Sequence, residues 1–160
     1  MATVSKITPC LWFDTQGEEA ATYYTSLFEN SRITGISHYG EAGPGPAGSV
    51  MTVDFELAGQ PFVALNGGPQ FTFNEAISLQ VSCESQEEVD DLWSKLTDGG
   101  EEGPCGWCKD RYGLSWQITP KALFQLLGDP DPGRSQRAMR AMPGMMKLNV
   151  AELERAADAA

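Results

Sequence analysis

The sequence predicts an α+β fold made of two copies of one βαβββ module, followed by a helical tail. Three observations lead to this prediction. A strand followed by a helix and further strands occurs twice, with starts near residues 6 and 76. Short turns join neighbouring strands, which favours antiparallel pairs with the helices segregated to one face. Beyond Pro120 the alternating pattern ends and short helical stretches follow.

The first module is predicted over about residues 1–70. Apolar and polar residues alternate in its four strands, which cover residues 6–13, 32–39, 50–57 and 61–65. A helix over residues 17–28 separates the first two strands, and Asp14-Thr15 is the expected N-cap. Residues 40–49 contain four glycines and two prolines, so this segment is predicted to be a loop.

The second module is predicted over about residues 71–120. A strand over residues 76–83 precedes Ser85 and Glu88, whose spacing is that of a capping box at the start of a helix. The segment Cys105–Cys108 is expected to be a short strand or a loop. The last strand follows a Tyr-Gly turn and ends at Pro120. Side chains alternate along a strand, so neighbouring residues of this strand point to opposite faces.

The paired modules, residues 1–120, are predicted to form one domain, and residues 121–160 a helical extension of it. The extension is expected to contain three short helices, over residues 121–127, 134–142 and 150–157. Asp131 is suited to cap the second of them, because Pro132 follows at the first helical position. We expect these helices to pack on the same domain or on a dimer partner.

Composition excludes several classes of function. The formal net charge is -11, which argues against nucleic acid, whose binding depends on Lys and Arg contacts to phosphate. It also argues against anionic membrane surfaces. The sequence has no apolar run of transmembrane length and no signal-peptide pattern. We therefore expect a cytoplasmic protein whose four cysteines are free thiols.

Seven segments carry a resemblance to a known family: Thr8–Asp14, Glu18–Tyr24, Leu65–Pro69, Gly103–Trp107, Lys109–Ile118, Asp129–Pro132 and Ser135–Met139. They resemble the PhnB-like branch of the vicinal oxygen chelate superfamily, also called the glyoxalase/bleomycin-resistance superfamily. The resemblance implies that the two modules form a curved mixed sheet around a cleft, and that the protein is a homodimer. Members often carry the name 3-demethylubiquinone-9 3-methyltransferase.

The same resemblance implies where metal ligands would lie. Metal-dependent relatives hold a divalent ion with His, Gln or Glu at matching points of the two modules. Counted from the strand–helix junctions, these points fall on Ile7, Ala64, Ile77 and Gln117. Only the last has a ligating side chain, so we expect no metal of the usual kind and no cofactor. An all-carboxylate site elsewhere stays open, and Gln117 would either bond across the sheet or contact a ligand.

Aromatic and polar side chains near the expected cleft suggest a site for a small organic molecule, since such sites are mostly apolar with a few polar groups. The leading hypothesis is a metal-free protein that binds a small aromatic or hydrophobic molecule. The alternative is an enzyme, either a methyltransferase or a lyase or isomerase. The Gly-rich segment Gly43–Gly48 argues against a methyltransferase, because it joins two strands rather than a strand and a helix. The residues expected to line the cleft are Leu11, Phe13, Asn66, Trp107, Trp116 and Gln117. The alternative for the aromatic side chains is that they pack in the core or contact a dimer partner.

The remaining reactive residues give weaker hypotheses. Cys105 and Cys108 have the C-x-x-C spacing of redox sites, but no helical pattern follows them, so a structural pair is expected. A zinc site would need Cys10 and Cys83 as well, which are instead expected to be small core residues. His38 is the only histidine; a strand-end position is expected, with a role as general base as the alternative.

Overall fold

The computed structural model describes residues 5–159, and the chain divides into two compact units, one ending at Thr72 and the other starting at Phe73. Each unit contains one four-stranded sheet and a helix that follows its first strand. The predicted α+β class is confirmed. None of the helices in residues 5–159 is long and apolar enough to cross a membrane.

The first unit has the order β1-β4-β3-β2. β1 pairs with β4 in parallel, and the other neighbours are antiparallel, so the sheet is mixed. Its elements are β1 (Cys10–Phe13), α1 (Gly17–Thr25), β2 (Arg32–His38), β3 (Val50–Leu57) and β4 (Gln60–Asn66).

Alternation along the strands decides which side chains of the first unit form its core. Leu11 and Phe13 of β1 are buried, as are Phe55 and Phe62, whose rings stack with their centroids 5.5 Å apart. Tyr24 of α1 lies close to Phe55 in the same core, with ring centroids 6.4 Å apart. α1 therefore covers the face of the sheet on which these side chains lie.

Two predicted features of the first module are wrong in detail. The first strand begins at Cys10 rather than at residue 6. The predicted cap at Asp14-Thr15 is also wrong, because Gln16 is the N-cap residue and its side chain makes no capping hydrogen bond. Instead the backbone N–H of Gly17 donates to Asn66 Oδ1 at 2.7 Å. Asn66, at the end of β4, thus accepts a hydrogen bond from an N–H group that has no partner within α1. The sequence around α1 does not reveal this acceptor.

The second unit repeats the arrangement, with the order β5-β8-β7-β6 and a parallel β5–β8 pair. The predicted capping box is confirmed at its N-cap, since Ser85 Oγ accepts a hydrogen bond from the backbone of Glu88 at 3.2 Å. Its elements are β5 (Ser78–Cys83), α2 (Gln86–Thr97), β6 (Glu101–Glu102), β7 (Trp107–Lys109) and β8 (Ser115–Pro120).

The helical extension also belongs to the second unit. Its three helices are α3 (Lys121–Leu127), α4 (Pro132–Ala141) and α5 (Val150–Asp158), as predicted. Asp131 caps α4, because its Oδ1 accepts a hydrogen bond from the backbone of Gly133 at 2.9 Å. The helices share an apolar core of their own, made of Leu123, Leu126, Ala138, Leu148, Leu153 and Ala157.

Candidate functional site

A pocket of about 500 Å³ lies in the second unit beside β7, and we call it the β7 pocket. This volume suits a small organic molecule. Aromatic and other apolar groups form part of its surface, and charged side chains lie among them. Its lining residues are Glu75, Glu101, Glu102, Gly103, Pro104, Cys105, Trp107, Cys108, Lys109 and Ser115.

Strand register explains which side chains of β7 and β8 share a face. Trp107 pairs with Gln117 and Lys109 pairs with Ser115. Directly opposed residues of an antiparallel pair lie on the same side of the sheet. The opposite face carries Cys108 and Trp116, both buried in the core of the unit. Trp107, Lys109 and Ser115 therefore bring an indole ring, an ammonium group and a hydroxyl group to one face of the sheet, and all three line the β7 pocket.

Ser115 is the most unusual polar residue of the pocket. It is only 1% exposed, and its Oγ has no hydrogen-bond partner within the described part of the chain. A buried hydroxyl that lacks a partner costs about 1–3 kcal/mol. Native proteins contain few such groups, so this one calls for an explanation.

Charged groups surround the apolar part of the β7 pocket. Lys109 forms an ion pair with Glu75, and the hydrogen bond between them lowers the pKa of Glu75 and raises the pKa of Lys109. Glu102 Oε1 accepts a hydrogen bond from Trp93 Nε1 at 2.6 Å. Glu101 lies opposite Lys109 in the β6–β7 pair. The three carboxylates against one ammonium group leave the lining with a net negative charge.

Asp110 organises the connection between β7 and β8, and the sequence analysis did not identify it. Its Oδ1 accepts hydrogen bonds from the backbone of Tyr112 at 2.8 Å and of Leu114 at 3.2 Å. Its Oδ2 accepts one from Trp116 Nε1 at 2.9 Å. The carboxylate is buried, with 3% exposure. An Asp just before a Tyr-Gly turn is a signal that could have found it, since Asp side chains commonly bond the backbone two residues on.

Of the six residues predicted to line a cleft, three lie in the core of their own unit, and a fourth, Asn66, is hydrogen-bonded within the first unit. Leu11 and Phe13 lie in the core of the first unit, and Trp116 in that of the second. Asn66 is engaged at both ends of its amide, because it accepts from Gly17 and donates to the carbonyl of Val50 at 3.2 Å. Their assignment to a ligand cleft stays a prediction.

The other two predicted site residues lie on the pocket side of β7 and β8. Trp107 lines the β7 pocket itself. Gln117 Nε2 donates to Ser78 Oγ at 2.9 Å, and its Oε1 accepts from Gln80 Nε2 at 3.4 Å. The amide of Gln117 therefore bonds across the sheet, which is one of the two roles expected for it.

Asn66 also lines a second pocket, of about 560 Å³, in the first unit. This pocket lies between the start of α1 and the loop that follows β2. Tyr39 contributes its ring to the lining, and its hydroxyl donates to the backbone carbonyl of Asn66 at 2.5 Å. Asn66 and Tyr39, two polar residues of this lining, therefore already have partners in the first unit.

Comparison with known proteins identifies the family. A family model described as 3-demethylubiquinone-9 3-methyltransferase matches residues 5–119. The PhnB protein of Bacillus cereus is 42% identical, with 72% of this chain and 99% of that chain covered and a TM-score of 0.66. The chain belongs to this PhnB-like family. A search of curated proteins finds no match.

More distant structures share the fold of this PhnB-like protein. A Pseudomonas aeruginosa protein is 20% identical, covers 73% of this chain and 98% of its own, and has a TM-score of 0.59. The fosfomycin resistance protein FosX of Listeria monocytogenes is 14% identical, covers 74% and 94%, and has a TM-score of 0.50. These likenesses concern the fold alone.

The residues at the four positions where the resemblance implies metal ligands do not fit a divalent ion in this PhnB-like protein. Ile7 and Ile77 are 81% and 62% exposed and have no donor atom. Ala64 is buried in β4 between its partners Leu11 and Val53. Among residues 5–159, no group of three or more His, Cys, Asp or Glu side chains is arranged to hold a metal ion. Three of the four positions therefore lack the donor atoms that hard or borderline cations need, and Gln117 alone cannot supply the set.

The cysteines of the PhnB-like chain are free thiols within the described residues. Burial, with smaller effects from Asp110 and Glu102, raises the pKa of Cys108 to about 12. Burial and the nearby Glu88 raise the pKa of Cys83 to about 12 as well. The expectation that Cys10 is a core residue is wrong, because it is exposed. Redox sites need a thiolate, so Cys108 lacks the electrostatics of a thioredoxin-like thiol.

His38 lies at the exposed end of β2, opposite Val50. This is the strand-end position that the sequence predicts. It does not line either of the two pockets described above, so the geometry offers no support for a role as general base.

Proposed function

We propose that this PhnB-like protein binds a small aromatic or hydrophobic molecule in the β7 pocket without the help of a metal ion. The observation that supports the proposal is a pocket of about 500 Å³ with Trp107 on its surface and the unpartnered hydroxyl of Ser115 beneath it. A ligand can pack on the indole ring. Because the Ser115 hydroxyl is buried, a polar group of the ligand reaches it only when the lining around Ser115 moves to expose it, and the hydroxyl would then gain a partner.

The charge of the lining narrows the class of ligand. Glu75, Glu101 and Glu102 outnumber Lys109, and the whole chain has a net charge of -11. An anionic ligand would be repelled, whereas a cation can meet a carboxylate and the face of Trp107 together. We therefore propose a neutral or positively charged aromatic ligand rather than an anionic one.

Three probes of nearly equal size test this proposal. Benzylammonium, benzyl alcohol and benzoate differ mainly in charge, and their binding can be followed by saturation-transfer NMR. We expect signals from the first two and little from benzoate. Trp107→Ala should abolish them, while Phe124→Ala, which removes an exposed ring from α3 outside the pocket, should not. Equal signals from all three probes, unchanged in Trp107→Ala, would refute the proposed site.

Methyl transfer is the second candidate, and the description of the matching family favours it. Methyltransferases that use S-adenosylmethionine usually hold it at a Gly-rich turn between a strand and a helix. Here β1 and α1 are joined by Asp14–Gln16, and β5 and α2 by Glu84-Ser85, neither of which contains glycine. Calorimetric titration with S-adenosylmethionine should show no binding. A titration with one site per chain would favour the enzyme instead.

We also propose that the protein forms a homodimer. Three large apolar side chains, Ile7, Phe71 and Ile77, are 81%, 65% and 62% exposed. Burial of such side chains against a second copy would remove them from water. Light scattering should give a mass near twice 17.3 kDa. A monomer at micromolar concentration would contradict this proposal, and Phe71→Glu should weaken the dimer.

A further inference from the structure

We infer that the C-terminal extension is a structural part of the β7 pocket. Its backbone at Met145 and Met146 holds the turn Pro104–Gly106, which we call the wall segment, in the conformation that shapes the pocket. The consequence for ligand binding rests on the proposed function. The conformation of the wall segment, however, can be tested without any ligand.

Two adjacent hydrogen bonds join the wall segment to the extension. The backbone N–H of Cys105 donates to the carbonyl of Met145 at 2.8 Å, and that of Gly106 donates to the carbonyl of Met146 at 2.8 Å. Both bonds have the normal N–H to O length. The extension therefore provides the acceptors for two consecutive N–H groups of the pocket's wall.

The wall segment has a backbone that needs such support. Cys105 has φ 59° and Gly106 has φ 81°, so both lie in the left-handed region. An L residue such as Cys rarely adopts this conformation and keeps it only where its surroundings fix it. A Cβ at Gly106 would lie 2.8 Å from Leu148 Cδ1 and 2.9 Å from the carbonyl of Ile118. Only glycine fits between β8 and the extension here.

Contacts outside the pocket fix the position of the extension. Gln86 of α2 donates from Nε2 to the carbonyl of Leu148 at 3.0 Å, and its Oε1 accepts from the backbone of Val150 at 2.7 Å. Lys147 Nζ lies 2.8 Å from Asp90 Oδ1. Leu148 itself is fully buried in the core of the extension. α2 thus holds residues 147–150 in place, and the neighbouring Met145 and Met146 hold the wall segment.

The wall segment connects directly to the aromatic residue of the pocket. The backbone of Trp107 donates to the carbonyl of Pro104, and its own carbonyl accepts from Gly103 at 2.8 Å. A shift of the wall segment therefore moves Trp107 as well. The family model matches residues 5–119, so the shape of this pocket depends on residues beyond the matched part of the chain.

Fluorine NMR on the full chain, labelled with 5-fluorotryptophan, tests the inference. Gln86→Ala removes the two hydrogen bonds that hold the backbone of Leu148 and Val150. Glu87→Ala is a matched control on the same helix, because the side chain of Glu87 is exposed and does not line either of the pockets described above. The Trp107 signal is assigned from Trp107→Phe. We expect Gln86→Ala to shift or broaden the Trp107 signal while that of Trp12, in the first unit, stays unchanged.

Binding of benzylammonium is the second measurement. We expect Gln86→Ala to weaken it by at least about threefold and Glu87→Ala to leave it unchanged. Lys147→Ala, which removes the pair with Asp90, is a second mild variant that should act in the same direction. A Trp107 signal identical to wild type in both Gln86→Ala and Lys147→Ala would overturn the inference. If that signal shifts but the wild type binds no probe, the proposed function fails and the role of the extension stands.

Discussion

Asp110 offers the sharpest test of how the candidate site is built. Asp110→Asn keeps the size of the side chain but replaces one carboxylate oxygen with an NH₂ group. Because the backbone N–H groups of Tyr112 and Leu114 and the indole N–H of Trp116 all donate to the carboxylate, at least one of these donors would then face another donor. A hydrogen bond to a charged group contributes about 1.5–3 kcal/mol, and an unsatisfied buried donor costs about 1–3 kcal/mol. We expect a loss of about 2–4 kcal/mol in the free energy of unfolding.

Urea unfolding and thermal unfolding measure this loss. A chain of this length loses about 2–4 °C of Tm for each kcal/mol, so a drop of several degrees is expected. Asp98→Asn is the control, because Asp98 is 80% exposed and lies 3.5 Å from Arg111 in a surface pair, which contributes at most about 1 kcal/mol.

A double-mutant cycle with Trp116→Phe isolates the bond between the indole N–H and the carboxylate. The cycle should give a coupling energy of about 1 kcal/mol or more. The reasoning is refuted if Asp110→Asn stays within about 0.5 kcal/mol of wild type, or if the two changes are additive.

The other predictions concern Ser115, the buried thiols and the metal. Ser115→Ala should keep or raise stability, because it removes an unpartnered hydroxyl, yet weaken benzylammonium binding; a loss of stability with unchanged binding would contradict the proposed role. In the folded protein at about pH 8, iodoacetamide should leave Cys83 and Cys108 unmodified, since thiols with a pKa near 12 hold almost no thiolate there. In the folded protein both thiols keep their protons to a higher pH than in the unfolded chain, where their pKa is 9.0. The contribution of this difference to the free energy of unfolding is fully present below pH 9.0 and is lost as the pH rises from there toward 12. The stability of wild type relative to Cys108→Ala should therefore fall between about pH 8 and pH 10.5. Elemental analysis of the purified protein should find less than one tightly bound divalent ion per chain.

Local patterns were sufficient to predict most of the fold. Alternation predicted the long strands β2, β3 and β8, and Ser85 with Glu88 predicted the start of α2, because each signal lies within the element itself. The two-residue strand β6 carries no such pattern and was missed. The cap of α1 was placed wrongly because Asn66, 49 residues away along the chain, supplies the acceptor. Features that depend on a partner distant in sequence were the ones that the sequence did not reveal.

The candidate site was predicted only in part, for a similar reason. Alternation showed that Trp116 and Gln117 point to opposite faces, but it could not show which face would border a pocket. Trp116 points into the core, and Trp107, opposite Gln117, borders the pocket. Ser115 escaped notice because a serine in an alternating strand is ordinarily exposed. Its burial depends on neighbours that β7 and its flanking segments bring over it.

Gln117 shows how a polar side chain on a strand of this fold can have its hydrogen bonds satisfied without a metal ion. An amide on the face of a sheet needs partners, and a metal ion would be one way to supply them. Here Ser78 and Gln80 on the adjacent β5 supply both an acceptor and a donor, so the amide is satisfied within the sheet. Ser115, two residues earlier on the same strand and the same face, has no such partner among the described residues. On β8, the buried side chain that lacks a hydrogen-bond partner among the described residues is therefore Ser115, which lines the β7 pocket together with Trp107 and Lys109. For this reason we propose that a ligand is recognised at the β7 pocket rather than at Gln117.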